Sequence, residues 1–341
     1  MTVIRHGRMA VLFLIQGSHQ FSGTAESLPY LSPKKMLRVF VLLLALLTAC
    51  HSSPTQATQP ETTTRDPRPD GFYTTIDSGS LPQLMVPDSR LMPMISAHRG
   101  GRDIPGYPEN SLAVFAYTLR QTPAMLECDV NVSADGVLLL MHDNSLDRTT
   151  TGTGRVQDQN WSEMKDLFLI DDRGQVTDYR IPTFAEALDY AQGKAILSVD
   201  VKRGVDFAQV IRMIEEKGMT DYVVVITYNV EDAELVHRLN PDLMISVSIR
   251  NLEEWERMRN STVPTDRMVA FTGTRLSPKA LFDTLHHHHI PAILGTLGNL
   301  DQRVAVRGDS LYLEYLDLGA DILATDRPVE AGAILRPLRE E

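Results

Sequence analysis

From residue 94 onward the chain alternates short apolar runs with helix-like stretches, and this alternation limits the possible folds more than any other feature. The runs cover 94–97, 125–132, 137–141, 196–201, 222–227, 243–249, 268–273, 291–295 and 321–325. Such runs read as strands buried on both faces. Helical patterns lie between most of them, at 111–120, 183–191, 207–217, 231–239, 252–258, 278–286 and 310–318. The reading is a parallel sheet closed into a TIM-type (β/α)8 barrel spanning residues 91–341. Nine strand candidates are one too many for it. The link 133–136 is also too short for a parallel crossover, so one strand there pairs irregularly or lies outside the barrel. A distorted barrel is expected, with a small insertion (144–182) after the third strand that would lie over the mouth.

In such a barrel the C-terminal strand ends build the site. His98 follows the first run, His142 closes the third, and Asp200 and Lys202 close the fourth. Strand side chains alternate faces, so Glu127 and Asp129 share one face while Cys128 takes the other. Two carboxylates on a buried face are costly unless a cation or a basic residue compensates. Hard oxygen donors without cysteine or clustered histidine point to Mg²⁺ or Ca²⁺ rather than zinc. The four consecutive histidines at 286–289 are set aside, because neighbouring residues at a helix end project in different directions and cannot converge on one ion.

The ordered residues His98-Arg99-Gly100, Pro108-Glu109-Asn110-Ser111, Glu127-x-Asp129-Val130, His142-Asp143 and Asp147-Arg148-Thr149-Thr150 resemble the glycerophosphodiester phosphodiesterase family. The similarity continues through Asp200-Val201-Lys202 to Thr325-Asp326-Arg327-Pro328, covering about residues 94–328. The resemblance implies a metal-dependent hydrolase that splits a glycerophosphodiester into glycerol phosphate and an alcohol. It assigns His98 and His142 to proton transfer, Arg99 and Lys202 to the phosphate, and Glu127, Asp129 and Asp200 to the metal. Glu109 and Asn110 support the site, with Asn110 also a candidate helix N-cap. Asp147 to Thr150 reads as structural hydrogen bonding. The chain departs from the family at Asp200, where Glu is usual, and at Leu294-Gly295-Thr296, where a Trp-Thr pair is common. The second departure implies a missing ring and a wider pocket.

In residues 36–50 a short apolar core, Val39 to Leu47, is preceded by basic Lys34, Lys35 and Arg38 and ends in Leu47-Thr48-Ala49-Cys50. That is a signal-peptide layout, and it resembles the lipobox of bacterial lipoproteins, whose cysteine is acylated. Residues 1–35 then read as an overextended start before an initiator at Met36, and the polar stretch 51–90 as a flexible tether, with an ordered arm on the barrel as the alternative for 71–91, where Phe72, Tyr73, Leu81 and Leu84 could dock. With His51 after the cysteine, the expectation is an exported lipoprotein anchored at the outer membrane and facing the periplasm. A formal net charge of −11 argues against a nucleic-acid partner. Two further readings remain open: a related phospholipase C/D-type enzyme acting on lysophospholipid or inositol lipid head groups, and a lipid-anchored binding protein with a decayed site.

Overall fold

The computed structural model describes residues 71–339. The expectations for residues 1–35, for the signal peptide and its Cys50, and for positions 51–70 of the tether lie outside the described residues. No helix among the described residues is long and apolar enough to cross a membrane.

Eight parallel strands form a closed barrel: β1 (Met94–Ala97), β2 (Met125–Val132), β6 (Leu197–Val201), β7 (Val223–Thr227), β8 (Met244–Ser248), β9 (Met268–Phe271), β10 (Ala292–Gly295) and β11 (Ile322–Thr325). Closure comes from β1, which pairs in parallel with both β11 and β2. The surplus strand is β3 (Leu138–Leu140), which runs antiparallel on β2 through Val130↔Leu140 and Val132↔Leu138. The five-residue link before it, 133–137, permits only a hairpin. Three helices were not legible in the sequence: the short Leu81–Leu84, Asn299–Arg307, whose pattern is broken by charge, and Pro328–Leu335, which follows β11.

The barrel interior is stratified by the period-two alternation of each strand. At the N-terminal end the inward residues Met94, Met125, Val224, Met244, Val269 and Ile322 form an apolar plug. One pleat higher most become small or acidic, at Ser96, Glu127, Ser198, Ser246 and Ala324, with Ile226 and Phe271 staying large, and this hollows the upper half into a cavity. Outward residues such as Ala97, Cys128, Val199, Val225 and Ile245 pack against the surrounding helices. The expected split between Glu127/Asp129 and Cys128 is therefore observed.

The tether expectation needs correction over residues 71–90. Ile76, Leu81 and Met85 are buried with the apolar plug and cover the N-terminal end of the barrel. Backbone hydrogen bonds from Phe72 to the Leu119 carbonyl and from Thr74 to the Lys194 carbonyl anchor the segment. A few apolar side chains in a polar stretch suffice here because an open barrel end offers them an apolar surface.

The excursion after β3 is also more ordered than its composition implied. It holds a short helix (Trp161–Met164) and a hairpin of β4 (Phe168–Ile170) and β5 (Val176–Arg180), whose turn is the charged run Asp171-Asp172-Arg173. Leu146, Val156, Met164 and Leu169 form a small core of its own with Leu139 and Met141. The excursion supplies none of the residues lining the cavity, while its first residue, Asn144, lines the adjoining groove. Its turn is held to the loop after β1, where the backbone amides of Gly106 and Asp103 donate to Asp171 and Asp172, each at 2.9 Å.

Candidate active site

The cavity at the C-terminal end of the barrel has a volume of about 320 Å³. His98, Arg99, Glu127, Asp129, His142, Asp200 and Lys202 all line it, so the structure brings together every residue the sequence assigned to catalysis, phosphate or metal. Register explains the convergence on one side, because Asp129 of β2 lies beside Asp200 of β6.

Each histidine is held through Nδ1. His98 Nδ1 lies 2.7 Å from Asp326 Oδ1, and His142 Nδ1 lies 2.7 Å from Asp143 Oδ1. An ionised carboxylate only accepts hydrogen bonds, so Nδ1 carries the proton in both and Nε2 is left for chemistry. Burial of the His98 imidazole works against its charge, but the Asp326 hydrogen bond and the Glu127 charge outweigh this and raise its pKa. For Asp326 burial is likewise overcome by His98, and its pKa is lowered.

The loop after β1 carries three non-glycine residues in the left-handed region, Arg99 (φ 53°), Asp103 (φ 54°) and Asn110 (φ 56°), of which the first and last stand at the site. Each such position costs about 1–3 kcal/mol and persists where surrounding bonds over-determine it. Here the Arg99 amide donates to Glu127 Oε2 at 2.7 Å, and the Asn110 amide donates to the Arg99 carbonyl at 3.0 Å. The N-cap expectation for Asn110 is corrected: Ser111 caps the helix Leu112–Gln121 through its Oγ. Asn110 instead clamps Asp129, donating from Nδ2 to Oδ2 at 2.7 Å and accepting the Asp129 amide on Oδ1 at 3.0 Å.

Glu109 joins the two halves of the site. It accepts from Arg99 Nη1 at 3.0 Å and from both Nη atoms of Arg148, which in turn donates to Asp143 at 2.6 Å. Arg148, read from sequence as structural, is thus one bond removed from the carboxylate that orients His142. Burial raises the Glu109 pKa, but Arg148 and Arg99 override it and hold the carboxyl ionised.

The acidic cluster suits a divalent cation. Oxygens of Glu127, Asp129 and Asp200 lie within 4.8 Å of one another, and all three residues are buried. Lys202 Nζ bridges Asp129 and Asp200 at 2.7 and 2.8 Å, leaving Asp200 Oδ1 buried without a hydrogen bond. Burial, followed by the Asp129 charge, pushes Glu127 up to about 8. At Asp129 burial acts the same way, yet Lys202 and Arg99 prevail and lower the pKa. Lys202 and Arg99, the latter shared with Glu109, still leave three carboxylates short of positive charge, with one oxygen buried and unpaired. The hard carboxylate set fits Mg²⁺ or Ca²⁺, and the shorter Asp200 keeps its place in it.

The sequence reading gave no role to Asp326, which holds His98 from behind, or to the lining residues Tyr228 and Phe271. Each extends the inward alternation of a strand: Ile322, Ala324, Asp326; Val224, Ile226, Tyr228; and Val269, Phe271. Continuing the period of two past the strand ends would have found the first two. Phe271 also corrects the expectation of a missing ring. A Cβ at Gly295 would lie 3.0 Å from Phe271 Cε2, so the neighbouring strand's ring occupies that space. The four histidines at 286–289 diverge as expected: His286 Nε2 pairs with Asp321 Oδ2 at 2.9 Å and His288 packs on Trp255.

Residues 98–310 match the Glycerophosphoryl diester phosphodiesterase family. A glycerophosphodiester phosphodiesterase of Bacillus altitudinis is 28% identical over 264 residues, covering 73% of this chain and 100% of that protein. Another, from Caldanaerobacter subterraneus, is 30% identical over 161 residues, which span 45% of this chain and 65% of that protein's length. Among solved structures, a glycerophosphoryl diester phosphodiesterase from Parabacteroides distasonis superposes with a TM-score of 0.72 at 30% identity, covering 78% of this chain and 94% of that one. An Oleispira antarctica phosphodiesterase in complex with the product sn-glycerol-3-phosphate shares the fold, with a TM-score of 0.57 at 20% identity over 72% of this chain and 98% of that one. With the barrel, the paired histidines and the acidic cluster in the family's order, this chain is an enzyme of the glycerophosphoryl diester phosphodiesterase family.

Proposed function

We propose that the chain hydrolyses small glycerophosphodiesters to glycerol phosphate and a free alcohol, with two histidines transferring protons and one Mg²⁺ or Ca²⁺ held by Glu127, Asp129 and Asp200. The observation that carries this reading is the pair of Nδ1-anchored histidines lining one cavity with Arg99, Lys202 and three clustered carboxylates. When bound, the cation supplies charge neutralisation for the phosphate and its transition state. Arg99 and Lys202 add fixed positive charge beside the same phosphate. The Nε2 atoms of His98 and His142 serve as the proton acceptor and donor that a phosphodiester cleavage needs. Asp326 and Asp143 keep both rings in the tautomer that leaves Nε2 reactive. The serine hydroxyls on the cavity wall, Ser96, Ser198, Ser246 and Ser248, suit the hydroxyls of a glycerol arm.

The product-bound Oleispira antarctica phosphodiesterase supports glycerol 3-phosphate as the product class. The test is release of glycerol 3-phosphate from glycerophosphocholine and glycerophosphoethanolamine, measured with EDTA, Mg²⁺ or Ca²⁺ and with His98→Ala as control. Cation-dependent release that is lost in the variant supports the reading; no release with either ion sinks it. We further propose a membrane location through acylation of Cys50, which the mass of the mature N-terminus checks directly.

A further inference from the structure

A phosphodiester has two arms, and the site opens in two directions. Beside the main cavity lies a groove of about 590 Å³ between the segments that follow β6 and β7. His142, Asp200, Lys202 and Tyr228 line both spaces, whereas His98 and the serines line only the first. The two spaces therefore meet where Lys202 would hold the phosphate, and the groove leaves on the His142 side.

The groove wall has a particular chemistry. Tyr228, 60% exposed, stands at the junction, and Phe207 adds a second ring. Asp232 lies on the same wall, at the start of the helix Val230–Leu239. Its Oδ2 accepts from Asn229 Nδ2 at 2.7 Å, which fixes the side chain and leaves Oδ1 free for a ligand. Aromatic faces beside a fixed carboxylate attract an ammonium or quaternary ammonium group. Arg203 lines the groove too and opposes that preference.

We propose that this groove is the head-group subsite and that Tyr228 and Asp232 select diesters whose alcohol carries an ammonium group. The inference rests on the phosphodiesterase reading and adds to it the direction of the leaving alcohol. That alcohol departs past His142, which makes His142 the proton donor to its oxygen and His98 the acceptor on the glycerol side.

The experiment compares kcat/KM for glycerophosphoethanolamine with kcat/KM for glycerophosphoglycerol, whose head group is uncharged. The wild-type ratio is expected above one. Asp232→Asn, which keeps the hydrogen bond with Asn229 possible, lowers that ratio by about 5-fold, the scale of an exposed charge contact plus a ring contact. Tyr228→Leu lowers it as well, Tyr228→Phe preserves it because the ring remains, and Arg203→Ala raises it. Hydrolysis of both diesters with a ratio unmoved by Asp232→Asn and Tyr228→Leu overturns this proposal alone, as does a wild-type ratio of one or less. Hydrolysis of neither diester by the wild type overturns the phosphodiesterase reading and the subsite with it.

Discussion

The two histidines share one bond length to a carboxylate, yet their surroundings are built differently. His98 and Asp326 are 16% and 14% exposed, whereas His142 and Asp143 are 35% and 26% exposed. On the His98 side the carboxylate is fixed by uncharged donors and backbone. Asp326 Oδ2 accepts the Gly298 amide at 3.2 Å, and the Asp326 amide donates to buried Asp301, which also takes hydrogen bonds from Tyr312 and Thr325. On the His142 side the work falls to Arg148, itself 42% exposed, which holds Asp143 well below the usual carboxylate range. Desolvated, over-determined bonds give rigidity, while ion pairs open to water are screened and tolerate adjustment. In the proposed binding mode the rigid side would face the glycerol arm common to substrates of this class, and the adjustable side the arm that varies.

The largest expected effects test whether the two sides divide the proton transfers. His98→Ala and His142→Ala each lower kcat on glycerophosphoethanolamine by about 10²-fold or more. A p-nitrophenyl ester of glycerol phosphate has a leaving group that needs no proton. With it, the His142→Ala loss shrinks to about 10-fold while the His98→Ala loss persists. The opposite pattern, read in steady-state kinetics, would exchange the two roles, and equal shrinkage would break the division altogether.

The acidic cluster stands between the two sides, with Glu127 feeling His98 and Asp129 feeling His142, and its pH dependence comes next in size. Glu127 is pushed up to about 8 by burial and the neighbouring Asp129 charge, far above an ordinary carboxyl group. As pH rises from the unfolded-state value toward 8, the cation-free fold loses stability, because it retains a proton that the unfolded chain has given up. A bound cation takes that proton's place, so its affinity rises by up to about 10-fold per pH unit below 8 and then levels off. Calorimetric titration with Mg²⁺ and Ca²⁺ at pH 6, 7 and 8 should show this, with proton release at the lower pH values. Affinity flat across that range would mean that Glu127 is not a ligand. Thermal stabilisation by the ion should likewise be greater at pH 8 than at pH 6.

What the sequence disclosed follows the same division. Side chains within or at the ends of strongly apolar strands were legible, since period two and a barrel place Glu127, Asp129, Asp200 and Lys202 without further information. The nine strand candidates and the misfit of β3 were legible too, because a four-residue link forbids a crossover. Partners contributed by distant loops were not. Nothing in Asp326, some 228 positions from His98, marks it as that ring's anchor, and Asp301 sits in a charged helix with no apolar signature. Arg148 looked structural because its two carboxylate partners, Glu109 and Asp143, converge only when the loops after β1 and β3 meet. Ordering of residues 71–90 depended on an open barrel end that exists only once the sheet has closed.

Smaller effects should separate a rigid anchor from a screened one. Asp326→Ala is expected to lower kcat by about 30-fold and Asp143→Ala by about 10-fold or less, since Arg148 and water remain near His142. The last pair of variants probes what lies one bond farther out on each side. Asp301→Asn acts only through Asp326, by loosening the hydrogen bonds that aim it, so it should lower kcat by about 5-fold alone and add nothing in an Asp326→Ala background. Arg148→Gln removes a partly exposed guanidinium from Glu109 and Asp143 together and should cost about 3-fold in kcat, with the loss falling further at high salt in the wild type as the ion pairs are screened. A salt-insensitive Arg148 effect would show that its network is as desolvated as the Asp301 cluster. An additive Asp301→Asn effect would show that the buried carboxylate acts on the barrel rather than on His98, and the contrast between the two histidines would then reduce to exposure alone.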